Sequence, residues 1–163
     1  MRLQRSLVLA VLVGALLAPG APAFADITGF LGVSGGPSTR VTKGLAVGAG
    51  LLMFGWEVEY GDTSSDVFRG SPRIQTGMVN ALVQTPISVR GLQVYGTGGV
   101  GVYHEDLAGD SRTNVGINLG GGVKKTLVGP LRLRIDYRVF HLSGSPFGDR
   151  FVHRFYVAAN VKF

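Results

Sequence analysis

The sequence contains no cysteine and, beyond its first 25 residues, no apolar run long enough to cross a bilayer as an α-helix. An exported chain of this size would have no disulfide to stabilise it, so it would depend on a core, on closure of a sheet or on a membrane. The basic residues exceed the acidic residues by 16 to 10, but they form no cluster. Without a clustered stripe of positive charge, a nucleic-acid partner is not expected.

The first 25 residues have the features of a secretory signal peptide. A basic start with Arg2 and Arg5 precedes an apolar run of about a dozen residues, and the segment APAFA offers small residues up to Ala25 for cleavage. We therefore predict a cleaved signal peptide at 1–25 and one domain at 26–163. The rival interpretation is a membrane anchor, but a spanning helix needs about 20 apolar residues and prolines interrupt this run.

Period-two alternation recurs along the rest of the chain, and no stretch of about ten residues has convincing helical periodicity. The clearest segment is LRLRIDYRVF, in which the apolar side chains from Leu131 to Val139 alternate with charged ones. Glycine is abundant, with 26 residues interleaved with Val, Leu and Tyr, which is typical of strands crowded at their backbones. The alternation predicts eight strands, near 27–34, 43–51, 54–62, 73–85, 92–104, 113–125, 131–140 and 154–163.

The connections between these strands alternate in character. Those after the first, third, fifth and seventh strands are longer and polar, near 34–42, 62–72, 105–112 and 142–150, whereas the others are tighter or less polar. This rhythm is typical of an all-β, eight-stranded antiparallel up-and-down barrel with long loops at one end. The second connection, LLMFG, lacks the usual polar turn residues, so the boundary of that hairpin stays open.

Alternation alone does not decide which face of the barrel points outward. A soluble lipocalin-like barrel and a membrane barrel have the same period and opposite polarity. The polar face holds many glycines, which fit a narrow lumen, and the apolar face carries aromatic residues toward strand ends, as membrane barrels do: Trp56, Tyr60, Tyr137 and Phe163. The polar face also carries both signs of charge, which a lumen would pair: Glu57, Glu59, Arg132, Arg134, Asp136 and Arg138.

With these features, region 26–163 resembles the OmpA/OmpX-like family of small Gram-negative outer-membrane β-barrels. The motifs are GWEVEY, VYGTGGVGVY, NLGGGVKKTL leading into LRLRIDYR, and the terminal RFYVAANVKF. The resemblance implies a transmembrane scaffold in the cell outer membrane, surrounded by its lipids, that displays short extracellular loops in a surface, adhesion or envelope-integrity role. It also implies that the last strand is a signal for the outer-membrane barrel assembly machinery, with Phe155, Val157, Val161 and Phe163 as its residues.

Few motifs point to chemistry. GTGGVG matches a dinucleotide-binding pattern in letters but continues as a strand, and the histidines have neither cysteine nor a close histidine partner, so we expect no metal and no cofactor. His141 and Ser143 form His-x-Ser near the loop end of the seventh strand and resemble the base and nucleophile of outer-membrane lipid A deacylases. The third member in those enzymes is a glutamate on the last strand, and no acid follows Asp149 here. We expect a protein that is not an enzyme.

Overall fold

Eight antiparallel strands form in the residues that the computed structural model describes, which are 23–36, 38–107, 109–144 and 151–163. Most of them extend a few residues farther toward the long connections than the alternation predicts. The strands are β1 (Ala23–Gly35), β2 (Arg40–Leu51), β3 (Phe54–Thr63), β4 (Arg73–Gln84), β5 (Leu92–Leu107), β6 (Asp110–Val128), β7 (Leu131–Leu142) and β8 (Phe151–Lys162).

The sheet closes on itself as an up-and-down barrel. Each strand pairs with its neighbour in the chain, and β8 returns to pair with β1 from Asp26 opposite Lys162 to Gly35 opposite His153. The Phe163 amide adds a hydrogen bond of 2.8 Å to the Ala25 carbonyl. Closure leaves no strand edge without a partner along this seam, and the predicted fold class is confirmed.

The predicted signal peptide lies mostly outside the described residues. The strand β1 begins at Ala23, three residues before the predicted cleavage point, and Ala25 lies opposite Ala49 of β2. Cleavage after Ala25 stays a prediction.

Of the three connections at one end of the barrel, two are turns of two residues, and the connection between β4 and β5 spans 85–91. Leu52 and Met53 join β2 to β3, and the backbone of Leu52 has a φ of 55°. A two-residue hairpin needs such a positive φ, which usually selects Gly or Asn, so the leucine explains why LLMFG gives no turn signal. Arg90 and Gly91 form the next turn with positive φ values of 52° and 77°.

The prediction of a long loop at 105–112 is wrong. The strands β5 and β6 continue as a ladder up to Leu107 opposite Asp110, so only residues 108 and 109 connect them. Polar residues form this ladder because most of the hairpin tip is exposed on both faces, although Glu105 itself is buried, and polarity there does not mark a loop. Glu105 lies opposite Arg112, and Gly109 has the positive φ of 96° that the turn requires.

The two faces of the barrel have opposite polarity. Nearly all the large Leu, Ile and Val side chains of the strands point outward, with Leu119 72% exposed and Leu45 64% exposed, whereas Arg134 and Arg138 are fully buried inside. A soluble ligand-binding barrel would need the apolar face inside, so the structure does not support that alternative. Within the described residues, no helix is long and apolar enough to span a bilayer.

Candidate functional site

A cluster of six charged side chains fills the middle of the lumen. Three strands supply them because inward positions recur at every second residue. The acids Glu57 and Glu59 come from β3, and β7 supplies Arg134, Asp136 and Arg138, while β8 adds Arg154; all six are almost completely buried. Strands β3 and β7 lie opposite each other in the eight-strand order, so the ion pairs between them cross the lumen.

Arg138 is the hub of this cluster. Its Nη2 lies 2.9 Å from Glu57 Oε1, its Nη1 lies 3.0 Å from Glu59 Oε2, and its Nε donates to Asp136 Oδ1 at 2.9 Å. The Nη2 group also donates to the Tyr156 hydroxyl at 2.9 Å. Contact with three carboxylates compensates for the desolvation of a buried guanidinium group.

Arg134 and Arg154 complete the charge balance of three cations and three anions. Arg134 forms an ion pair with Glu57, lies 2.9 Å from Asp136 Oδ2 and donates to the Tyr95 hydroxyl at 2.6 Å. Arg154 Nη1 lies 3.1 Å from Glu59 Oε1, and its guanidinium carbon lies 4.3 Å from the centre of the Phe140 ring. Neutrality as a group allows so many charges in a region without bulk water.

Small residues on β6 make room for these long side chains. A Cβ added to Gly120 would lie 2.7 Å from Arg138 Cγ, and one added to Gly122 would lie 2.7 Å from the Tyr95 hydroxyl. The glycines on the polar face therefore match the volume of the arginine and tyrosine side chains opposite them.

Further side chains fill the lumen on both sides of the cluster. Toward the short turns, Lys124 Nζ lies 3.2 Å from Asp26 Oδ2 as a second buried ion pair. Toward the long connections, an apolar cluster closes the interior; it consists of Ile74, Met78, Tyr103, Phe140, Leu142 and Val152. The interior is thus packed with side chains, as expected for an eight-stranded barrel.

The structure brings together five of the six predicted lumen residues. Glu57, Glu59, Arg134, Asp136 and Arg138 meet as described, whereas Arg132 lies nearer the short turns and donates a 3.4 Å hydrogen bond to Gln93 Oε1. Sequence reasoning did not identify Arg154 and Tyr156 as members of the cluster, and it did not identify the Asp26–Lys124 pair.

His141 and Ser143 do not form a nucleophile–base pair. The His141 ring packs against Phe151 with 5.0 Å between ring centres, and Ser143 lies in the turn after β7, where its carbonyl accepts from the Tyr103 hydroxyl at 2.9 Å. Within the described residues, no hydrogen bond joins the His141 imidazole to the Ser143 hydroxyl. Asp149 lies outside the described residues.

A belt of polar pairs and aromatic rings marks the outer surface toward the long connections. In this belt the Tyr137 hydroxyl lies 2.7 Å from His153 Nδ1. On the other side of the barrel, Gln75 Nε2 donates to the Tyr60 hydroxyl at 2.8 Å. At the opposite end, the outward Trp56 and Phe163 are 51% and 71% exposed. Between these levels the outward side chains are almost all apolar, which is the pattern of a lipid-facing band between two interfacial girdles.

The four residues predicted as an assembly signal lie on or just after β8. Phe155, Val157 and Val161 point outward in that strand, and Phe163 follows it.

A closed eight-stranded barrel with an apolar outside, aromatic girdles and charges inside has the fold of bacterial outer-membrane barrels. Solved structures of this class match the chain. Neisserial surface protein A matches with a TM-score of 0.67 at 13% identity, over 88% of this chain and 99% of that one. The N-terminal barrel domain of Pseudomonas aeruginosa OprF matches with a TM-score of 0.66 at 12% identity, over 88% and 100%.

The outer membrane enzyme PagL also matches, with a TM-score of 0.55 at 13% identity, over 83% of this chain and 98% of that one. These identities show a shared fold and leave the individual role open. No protein-family model matches the chain, and a search of the curated proteins finds no relative.

Proposed function

We propose that this chain is an integral protein of the bacterial outer membrane, a scaffold without enzymatic activity that displays its long connections at the cell surface. The inversion of polarity supports the proposal most strongly: charged residues are buried inside, and Leu, Val and Ile cover the outside. Lipid is the environment in which such a surface is stable. Long connections face outward and short turns face the periplasm in barrels of this type.

The connection between β3 and β4 is built to display an apolar tip. A 3-10 helix, Val67–Arg69, begins after Asp66, whose side chain accepts from the Arg69 amide, and it ends at Gly70 with a φ of 64°. Its Phe68 side chain is fully exposed. Val67 beside it is 64% exposed, so the turn presents two adjacent apolar side chains to water, which supports a contact surface.

Neighbouring elements hold this connection in place. Arg40 at the start of β2 donates to the Pro72 carbonyl, and the Ser38 hydroxyl donates to the Ser71 hydroxyl at 2.9 Å. Asp66 and Ser71 exchange two backbone hydrogen bonds of 2.9 Å. These hydrogen bonds restrict the conformations of the tip, which lowers the entropy cost of binding a partner.

The membrane part of the proposal is tested by fractionation and gel mobility. We expect the expressed chain in washed outer membranes, where it resists extraction without detergent, and we expect boiled and unboiled samples to migrate differently in SDS. Soluble fractionation together with equal mobility would contradict the proposal.

The display part is tested at Phe68. Cells of a non-adherent laboratory strain that produce the wild-type protein should bind epithelial monolayers more than cells with an empty vector. The Phe68→Ala variant should lose this gain, whereas the exposed neighbour Ser65, changed to alanine, should not. Equal binding of the monolayers by wild-type and empty-vector cells would refute an adhesive role.

The alternative that the chain is a lipid A hydrolase has its own test. Lipid A extracted from cells that overproduce the wild-type chain should be unchanged; deacylation that disappears in His141→Ala and Ser143→Ala variants would show an enzyme.

We also propose that the assembly machinery recognises β8 through its outward residues, Phe163 included.

A further inference from the structure

A groove runs along the outer surface of the barrel across β8, β1 and β2. Five outward positions lie side by side in one cross-strand row, because each is the register partner of the next: Leu133, Ala159, Gly29, Leu45 and Tyr60. Two of them, Ala159 and Gly29, are small and stand between larger side chains. The groove has a volume of about 680 Å³ and a mainly apolar lining.

The groove ends in a cationic depression toward the long connections. Lys43 and Asp62 line both the groove and a second depression of about 320 Å³, to which Ser64, Ser65 and Arg73 also contribute. Arg73 binds Asp62 through two hydrogen bonds of 2.8 and 2.9 Å. Lys43 is the register partner of Asp62 and lies beside the same carboxylate, so the depression has two cations for one carboxylate and a net charge of +1.

The order of these features along the surface matches the order of groups in a membrane lipid. The apolar groove lies at the depth of the hydrocarbon, and the depression lies at the level of the Gln75–Tyr60 hydrogen bond that marks the interface. Lysine and arginine bind phosphate through charge-assisted hydrogen bonds. The Ser65 hydroxyl can bond to a sugar hydroxyl group, and the Ser64 hydroxyl, which donates to the Val41 carbonyl at 3.3 Å, can still accept a hydrogen bond. An acyl chain at this depth is already in an apolar environment, so its affinity for the groove comes from van der Waals packing and not from transfer out of water.

We propose that this groove binds one molecule of the phosphorylated, acylated glycolipid of the outer leaflet, lipid A. One acyl chain lies over Gly29 and Ala159, and one phosphate contacts Lys43 and Arg73. The inference rests on the proposed outer-membrane location, which puts the long-connection end in the outer leaflet. Lipid A is assigned in preference to a glycerophospholipid because the depression faces that leaflet and combines cations with hydroxyl groups.

The test uses native mass spectrometry on the purified full barrel in detergent, titrated with lipid A or with phosphatidylglycerol. Only preparations that show the unboiled mobility of a folded barrel are titrated, so failure of the proposed membrane fold is detected before any lipid is added. Two variants address the two parts of the site. The Gly29→Leu variant fills the groove, and its Cβ is tolerated because it would lie 3.6 Å from Leu45 Cδ2. The Lys43→Gln variant removes one of the two positive charges.

Two matched controls lie elsewhere on the outer surface. Gly96→Leu adds the same side chain at an outward glycine on β5, and Lys125→Gln removes an outward lysine near the short turns. We expect one lipid A per barrel, with affinity at least about tenfold lower in both groove variants and unchanged in both controls. Equal affinity in wild-type and groove variants, or phosphatidylglycerol binding as tight as lipid A, would overturn the proposal.

Discussion

Replacing Arg138 with methionine tests directly how the lumen charges stabilise the barrel. The guanidinium group contacts Glu57 at 2.9 Å, Glu59 at 3.0 Å and Asp136 at 2.9 Å. Methionine replaces much of the aliphatic stem but leaves three buried carboxylates with two guanidinium groups. Removal of one partner from a buried ion pair costs about 3–5 kcal/mol, and we expect the free energy of unfolding to fall by that amount.

The assay is reversible urea unfolding of the barrel refolded in phospholipid vesicles. Trp56 is the only tryptophan in the sequence and is 51% exposed on the outer surface, so its fluorescence reports loss of the lipid environment. Arg132→Met is the matched control, because Arg132 is on the same strand and face but has only a 3.4 Å hydrogen bond to Gln93. We expect the control to cost less than about 1 kcal/mol.

A double variant separates charge imbalance from lost packing. Adding Glu59→Gln to Arg138→Met removes one of the stranded carboxylates, so the two changes should be less than additive by about 1 kcal/mol or more. An Arg138→Met loss no larger than the Arg132→Met loss, or strict additivity in the double variant, would refute the reasoning.

Three further predictions concern other parts of the barrel. Leu52→Gly should raise the free energy of unfolding by about 1 kcal/mol in the same urea assay, because it relieves the positive φ of 55° in the first short turn. Lys124→Met should lower it by about 3 kcal/mol, and Lys124→Met with Asp26→Leu should recover most of that loss, because the pair at 3.2 Å is then removed as a unit. Phe163→Ala should reduce the amount of heat-modifiable barrel in outer membranes while the purified variant still refolds in vesicles; unchanged amounts in cells would count against the assembly signal.

The alternation of side chains predicts the strands and faces of this barrel because it depends only on local backbone geometry. Arg134, Asp136 and Arg138 have inward positions in any barrel with this polarity. Which of them meet depends on how far each strand is displaced along its neighbours, and that quantity is absent from the local pattern. Arg132 shares the face of the cluster but lies too near the short turns to join it.

Turns were predictable only where the residue type reveals the backbone conformation. The Arg90–Gly91 turn contains the glycine that a positive φ favours, whereas Leu52 adopts a positive φ without any such signal. The long ladder between β5 and β6 was missed for a related reason. Its residues are mostly polar on both faces, so neither an apolar face nor a turn motif distinguishes it from a loop, and only the pairing of Glu105 with Arg112 defines it as a ladder.

The buried charges also specify the register that alternation leaves open. A slip of two residues between β8 and β1 keeps every side chain on its own face, but it moves Arg154 by about 7 Å relative to Glu59, which it contacts at 3.1 Å. An apolar lumen would not penalise such a slip to the same degree, because nonspecific packing tolerates exchange of similar side chains. The ion pairs therefore stabilise one closure of the sheet among several that the pattern permits.

Cysteine pairs test this role in a chain that has no cysteine of its own. Leu31 and Val157 are register partners across the seam, so cysteines at both positions should form a disulfide in the native barrel, while a pair at Leu31 and Phe155 should not. Replacing both Arg138 and Arg154 with methionine should let the second pair form in a measurable fraction of molecules. If folded, heat-modifiable protein with the two arginines removed still forms only the first disulfide, the charges contribute stability without specifying register, and the closure must depend on the turns and on backbone pairing alone.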